Sequence, residues 1–246
     1  TVAGDFTTSG GLIGKSALVF DGLATDEIVS CGSDSSIDNI FNSGGGGTIE
    51  AWINTNSDGE GSAGTILGKQ WNLTTRNESG GKCKLHWLVG AGTTNGEWTT
   101  TNTVITNGKW HHVAVTYDRT GGDGSGHNNV PTIYVDGKSV PITTTNQPSG
   151  SIGNDSTSTL RISSASANFD GEIAMVRMFS DIRTEAELRA EMFNAHANMA
   201  NTGNLVAMYQ FDEGTGTTVD NIQGTAAADG TITGAAWAGA GTFTYG

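Results

Sequence analysis

The chain has 246 residues, enough to bury a sizeable core without disulfide staples. Its 12 basic and 25 acidic residues give a formal net charge of −13, which argues against nucleic acid or an anionic membrane as partner and makes a cation the more natural one. The 37 Gly carry no G-X-Y period and Pro numbers only 3, which excludes collagen and calls for many turns, and no run of 18 apolar residues offers a membrane span.

Along the chain, residues 16–20 form a short strand that stops at Asp21-Gly22, and residues 28–31 form a second. The Gly run 44–47 enters a strand over 48–54, with Ile49, Ala51 and Ile53 on one face and Thr48, Glu50 and Trp52 on the other. Residues 65–68 and 83–89 are further strands. The polar stretch 74–81 between them reads as a hairpin and 90–96 as a turn. Over 110–118 the period is two. Trp110, His112, Ala114 and Thr116 alternate with His111, Val113, Val115 and Tyr117. The next strand ends at Asp136-Gly137, a pair suited to a type I′ turn. Between them lies the Gly- and Asn-rich loop 121–129, which lacks the alternating acids of an EF-hand.

Residues 160–163 and 172–179 are later strands, the second with apolar residues on both faces and so covered on both. Thr184 with Glu187 makes a capping box for the one clear helix. Residues 205–211 are a final strong strand. In the small-residue-rich tail, 231–233 and Trp237 are the expected ordered parts. The absence of helix–strand alternation excludes a parallel α/β sheet, and no repeat divides the chain. Residues 1–246 read as a single domain. Cys31 and Cys83 are either one bridge or two buried thiols. Neither lies in a Cys-x-x-Cys pair, so nothing points to zinc.

Residues 17–22, 48–53, 110–118, 134–138, 169–173, 183–188 and 205–216, taken in this order, resemble laminin-G-like, concanavalin A-like lectin/glucanase jelly-roll domains. The resemblance implies an all-β protein with two antiparallel sheets packed face to face and one short helix near 184–196. It also implies calcium (Ca2+) at the rim of the sandwich. Asp21 and Asp170, in two similar Phe-Asp-Gly contexts, carry over as ligand candidates, with carbonyls and water completing the shell. The alternative for each is an Asp that simply turns the chain. The pattern departs from the family after Phe-Asp-Gly-Glu-Ile, where Ala174 and Met175 replace the usual acids.

Glycoside hydrolysis needs two carboxyl groups across the scissile bond. Glu172 is followed by Ala174 and Val176, and Glu50 by Trp52, so no pair forms and the chain reads as no enzyme. His111 and His112 are adjacent on a strand and point to opposite faces, which excludes a shared site. Sugar binding needs an aromatic platform with amides and carboxylates nearby. Trp71 and Trp98, with Asn95 and Glu97, are the candidates, core packing being the alternative for both rings. The expected function is a non-catalytic carbohydrate-binding or adhesion module, extracellular or on a cell or virion surface, with a glycan or polysaccharide as partner. The rival is a structural subunit of a virion or filament that contacts its own copies or other surface proteins through the tail at 226–242. A polysaccharide-active enzyme comes third.

Overall fold

A computed structural model describes residues 16–23, 26–41, 46–119, 130–150, 153–224 and 226–239. The loop 121–129 and the last residues of the tail lie outside them. The described strands build two antiparallel sheets with a shared core, the expected jelly-roll sandwich.

The first sheet runs in the order Lys138–Val140, Thr132–Val135, Trp110–Tyr117, Gly47–Thr55, Asp170–Phe179, Leu18–Asp21 and Ala236–Trp237, and Leu205–Tyr209 also pairs with Asp170–Phe179. The second runs Ile142–Asn146, Gly96–Thr100, Lys82–Val89, Trp71–Arg76, Ala63–Gly68, Arg161–Ile162, Ile28–Ser30, Gly230–Thr233 and Thr218–Val219, with Ile105–Thr106 beside Lys82–Val89. The expected type I′ turn is present. Asp136 has φ 52° and Gly137 φ 68°, and Val135 pairs with Lys138 across them.

Alternation puts Ile49, Ile53, Val113, Val115, Leu73, Leu85 and Trp87 between the sheets. The other face of the first sheet is covered too. Trp52, Trp110, Met175, Phe179 and Met208 lie there against Met192, with Phe193 and Met199 packed on the same cluster. Trp52 Nε1 donates to the Met192 carbonyl at 2.7 Å.

Residues 172–179 do not keep the strict alternation expected of them. A bulge falls between Ala174 and Arg177, with Met175 at φ 43°. Ile173 therefore shares the inner core with Val176 and Met178, while Ala174, Met175 and Phe179 share the outer cluster.

The capping box on Thr184 and Glu187 is complete, and the helix spans Glu185–Glu191, ending earlier than the expected range. Its Leu188 packs on Ala114 and Tyr134. Cys31 and Cys83 are separate free thiols, both buried. The tail folds onto its own sandwich: Gly230–Thr233 pairs with Ile28–Ser30, and Ala236–Trp237 with Leu18–Asp21.

Candidate functional site

Trp71, Leu73 and Thr75 of one strand point into the core, so Asn72, Thr74 and Arg76 stand on the outer face of the second sheet. On the next strand Cys83, Leu85, Trp87 and Val89 point inward, which leaves Lys84, His86 and Leu88 outward. Of these outward residues Asn72, Thr74, Arg76, His86 and Leu88, with Ala63, Thr65, Ser164, Ser166 and Ala167, line a groove of about 150 Å³, and Lys84 stands beside it. Its floor is the strands and one wall is the 164–167 loop. Hydroxyl, amide, guanidinium and imidazole groups are mixed with the apolar Leu88 and two alanines.

His86 is the deepest of the groove's titratable groups, 3% exposed, with Nδ1 3.5 Å from Thr74 Oγ1. Burial, helped by the Arg76 charge, lowers its pKa from 6.5 to about 4. The folded protein therefore holds His86 neutral where the unfolded chain takes up a proton. This contribution is full above pH 6.5 and is lost as pH falls from 6.5 towards 4. Between pH 8 and pH 5 it amounts to about 2 kcal/mol. Urea denaturation at the two pH values should show that loss in the wild type and a smaller one in His86→Asn.

The expected platform residues are corrected by their burial. Trp71 is 2% exposed and Trp98 is not exposed at all. Trp71 meets Phe41 edge-on at 5.2 Å between ring centres, and Trp98 lies 5.7 Å from Tyr117. Neither ring has a free face for a sugar to stack on, because both occupy the inward positions of their strands. Glu97, one residue before Trp98, points the opposite way and stands beside Leu88 on the groove's own face. Asn95 is exposed, and its Oδ1 accepts from the Ala91 amide at 3.1 Å, closing a turn.

Asp21 and Asp170 are brought together as direct cross-strand partners. Asp170 accepts from Asn56 Nδ2 at 3.0 Å and Ser57 Oγ at 2.5 Å, and Asp21 Oδ1 from the Leu23 amide at 2.8 Å. The Asp21 amide donates to Glu27 Oε2 at 2.5 Å. Burial raises the Glu27 carboxyl above its ordinary value, and the Asp21 charge adds to the rise. Among the described residues no three acidic, His or Cys side chains gather as metal ligands, so these side chains alone do not make a calcium shell. The repeated Phe-Asp-Gly has a packing cause. A Cβ on Gly22 (φ 69°) would stand 2.6 Å from Asp170 Cβ, and one on Gly171 (φ 138°) 2.1 Å from the Asn54 carbonyl oxygen.

The sequence reading missed Thr74, Arg76, His86 and Leu88. The signal was there in part: a Trp71–Leu73 pair in the core sends 72, 74 and 76 outward by parity alone.

The laminin G family model of the concanavalin A-like lectin/glucanases superfamily matches residues 32–189. No curated protein sequence matches the chain. Among solved structures, a candidate carbohydrate-binding protein from Bacteroides ovatus is similar at TM-score 0.62 and 22% identity, covering 92% of this chain and 60% of its own. The binding domain of Paraclostridial Mosquitocidal Protein 1 is similar at TM-score 0.51 and 15% identity, covering 78% of this chain and 47% of its own. The chain thus spans 60% or less of these two structures. At such identities the likeness is one of fold. With more than half of its length matched, the chain belongs to the concanavalin A-like lectin/glucanases superfamily.

Proposed function

We propose that this chain is a non-catalytic carbohydrate-binding module, displayed outside a cell or on a virion, that holds a glycan in the groove on the outer face of its second sheet. One observation carries the reading. The outer face of the first sheet is closed by Met192, Phe193 and Met199, whereas that of the second carries a groove lined with hydroxyl and amide groups. Saccharide hydroxyls pair with such groups while sugar C–H faces pack on apolar neighbours such as Leu88.

Hydrolysis is not part of this reading. Glu50 is buried against Arg177, and Glu172 Oε2 accepts from Asn54 Nδ2 at 3.0 Å on the other sheet. Among the described strand positions on the groove's face, Glu97 is the single carboxylate, and a glycosidase needs two. The tail folded on its own sandwich supports a binding module over an end-to-end structural subunit.

The test is a panel of neutral and acidic polysaccharides, with wild type against the double variant Asn72→Leu/Thr74→Val. Both changes keep the number and branching of side-chain heavy atoms and remove polar handles. Binding to at least one polymer that weakens tenfold or more in the variant, about 1.4 kcal/mol, is the expected result. Wild type that binds nothing, or a variant that binds equally well, overturns the reading.

Calcium enters only as a stabiliser of the Asp21–Asp170 end. A Tm that rises in calcium, and no longer does so in Asp21→Asn, is the expected outcome. Identical Tm in calcium and in EDTA removes calcium from the reading.

A further inference from the structure

The groove's face has a charge opposite to that of the chain. Arg76 and Lys84 are directly opposed partners on neighbouring strands, and both project to this face. Arg161 stands on the same face two strands beyond Arg76, paired with Gly68 across the strand edge. Against these three cations and Lys82, which shares the outward parity of Lys84, the strands of this face set one carboxylate, Glu97, although the chain as a whole has 25 acids to 12 bases.

Two like charges placed directly opposite each other destabilise a sheet. An ordinary cross-strand pair offsets this with a nearby acid, and neither Arg76 nor Lys84 forms a salt bridge among the described residues. Lys84 Nζ donates to the Thr101 carbonyl at 2.8 Å, which leaves its charge in place. Arg76 Nε is buried and has no hydrogen-bond partner among the described residues, so the strand holds the root of this side chain while its charge stays uncompensated. Arg76 lines the groove without a carboxylate partner among the described residues, and the planar fork of a guanidinium matches two oxygens of an oxyanion at once.

We propose that the groove is selective for an acidic saccharide, with Arg76 gripping its carboxylate or sulfate and Lys84 supplying a second positive charge. The inference rests on the groove-binding reading and names its ligand class. Thr74, Ser164 and Ser166 then meet the hydroxyls of the same sugar ring. A surface at −13 overall does not draw polyanions to itself, so affinity for one has to come from this face.

The experiment is calorimetric titration with oligogalacturonate, a chondroitin sulfate oligosaccharide and a neutral xylo-oligosaccharide. It uses the wild type, Arg76→Met and Asn72→Leu/Thr74→Val, with Tm measured for each free protein. The expected result is at least tenfold preference for an acidic ligand over the neutral one, and at least tenfold loss of it in Arg76→Met. The free Arg76→Met protein should melt at or above the wild-type temperature, because its like-charge pair is gone. Whether uronate or sulfate ester binds better identifies the source of the oxyanion. Neutral binding as tight as acidic, still lost in Asn72→Leu/Thr74→Val, overturns the acidic preference and leaves the groove reading standing. Acidic binding untouched by Arg76→Met overturns the role of Arg76. Failure of all three ligands to bind overturns both.

Discussion

Glu50→Ala is expected to lower stability by about 3–5 kcal/mol. Glu50 is 2% exposed under the segment that closes the first sheet. Its Oε1 accepts from Arg177 Nη1 at 2.5 Å, and its Oε2 lies 3.3 Å from His112 Nε2. The same guanidinium donates to the Glu191 carbonyl at 3.0 Å and to that of Asn194, and so ties the end of the helix to the sheet. Without Glu50 a buried guanidinium is left with no counter-charge, and that penalty, more than the lost bond, sets the size of the effect. The double variant Glu50→Leu/Arg177→Met removes both charges and should recover most of the loss. Guanidinium denaturation of the three proteins measures it. A Glu50→Ala cost within 1 kcal/mol would contradict the role given to this pair.

The same pair sets an acid limit. Burial alone would raise the Glu50 carboxyl, but Arg177 and then His112 more than offset that and hold it at about 2. A carboxyl lowered in the folded state stabilises fully above its unfolded value of 4.5 and loses that contribution as pH falls from 4.5 towards 2. His86 acts earlier on the way down, from 6.5.

Trp71→Ala is the second large effect, expected at about 3–5 kcal/mol. Trp71 fills the space between the sheets, edge-on to Phe41 at 5.2 Å and 5.6 Å from Trp87. Truncation leaves a cavity that Phe41, Trp87 and Tyr117, themselves fixed in one aromatic cluster, cannot close. The gentler Trp71→Phe should fold and bind glycan as the wild type does. Trp71→Ala with near wild-type stability but no binding would restore the ring as a sugar platform and contradict its place in the core.

Much of the sandwich is legible in the chain because its central strands alternate. Residues 48–54 and 110–118 show it in sequence, and both are strands as expected, paired with each other in the first sheet. Ile142–Asn146 was not legible, since an exposed edge strand of Ile and Thr needs no apolar face. Trp71–Arg76 and Gly96–Thr100 read in sequence as loop surroundings, because each combines one inward Trp with polar outward residues. The same polar neighbours make the tryptophans look exposed and conceal the groove. On a strand the side chains beside a buried Trp are the exposed ones, so Asn72 and Glu97 are the outward residues where Trp71 and Trp98 were expected. The bulge at Met175 had no sequence signal, since both faces of its strand are apolar.

The most direct measurement is a two-dimensional NMR titration of the isotope-labelled protein with whichever oligosaccharide the panel selects. Shifts concentrated at Asn72, Thr74, Arg76, His86 and the 164–167 loop, with the Asp21–Asp170 end unmoved, are predicted. Shifts confined to the rim at Asp21 and Asp170, with the groove residues unmoved, would contradict the assignment of ligand binding to the outer face of the second sheet.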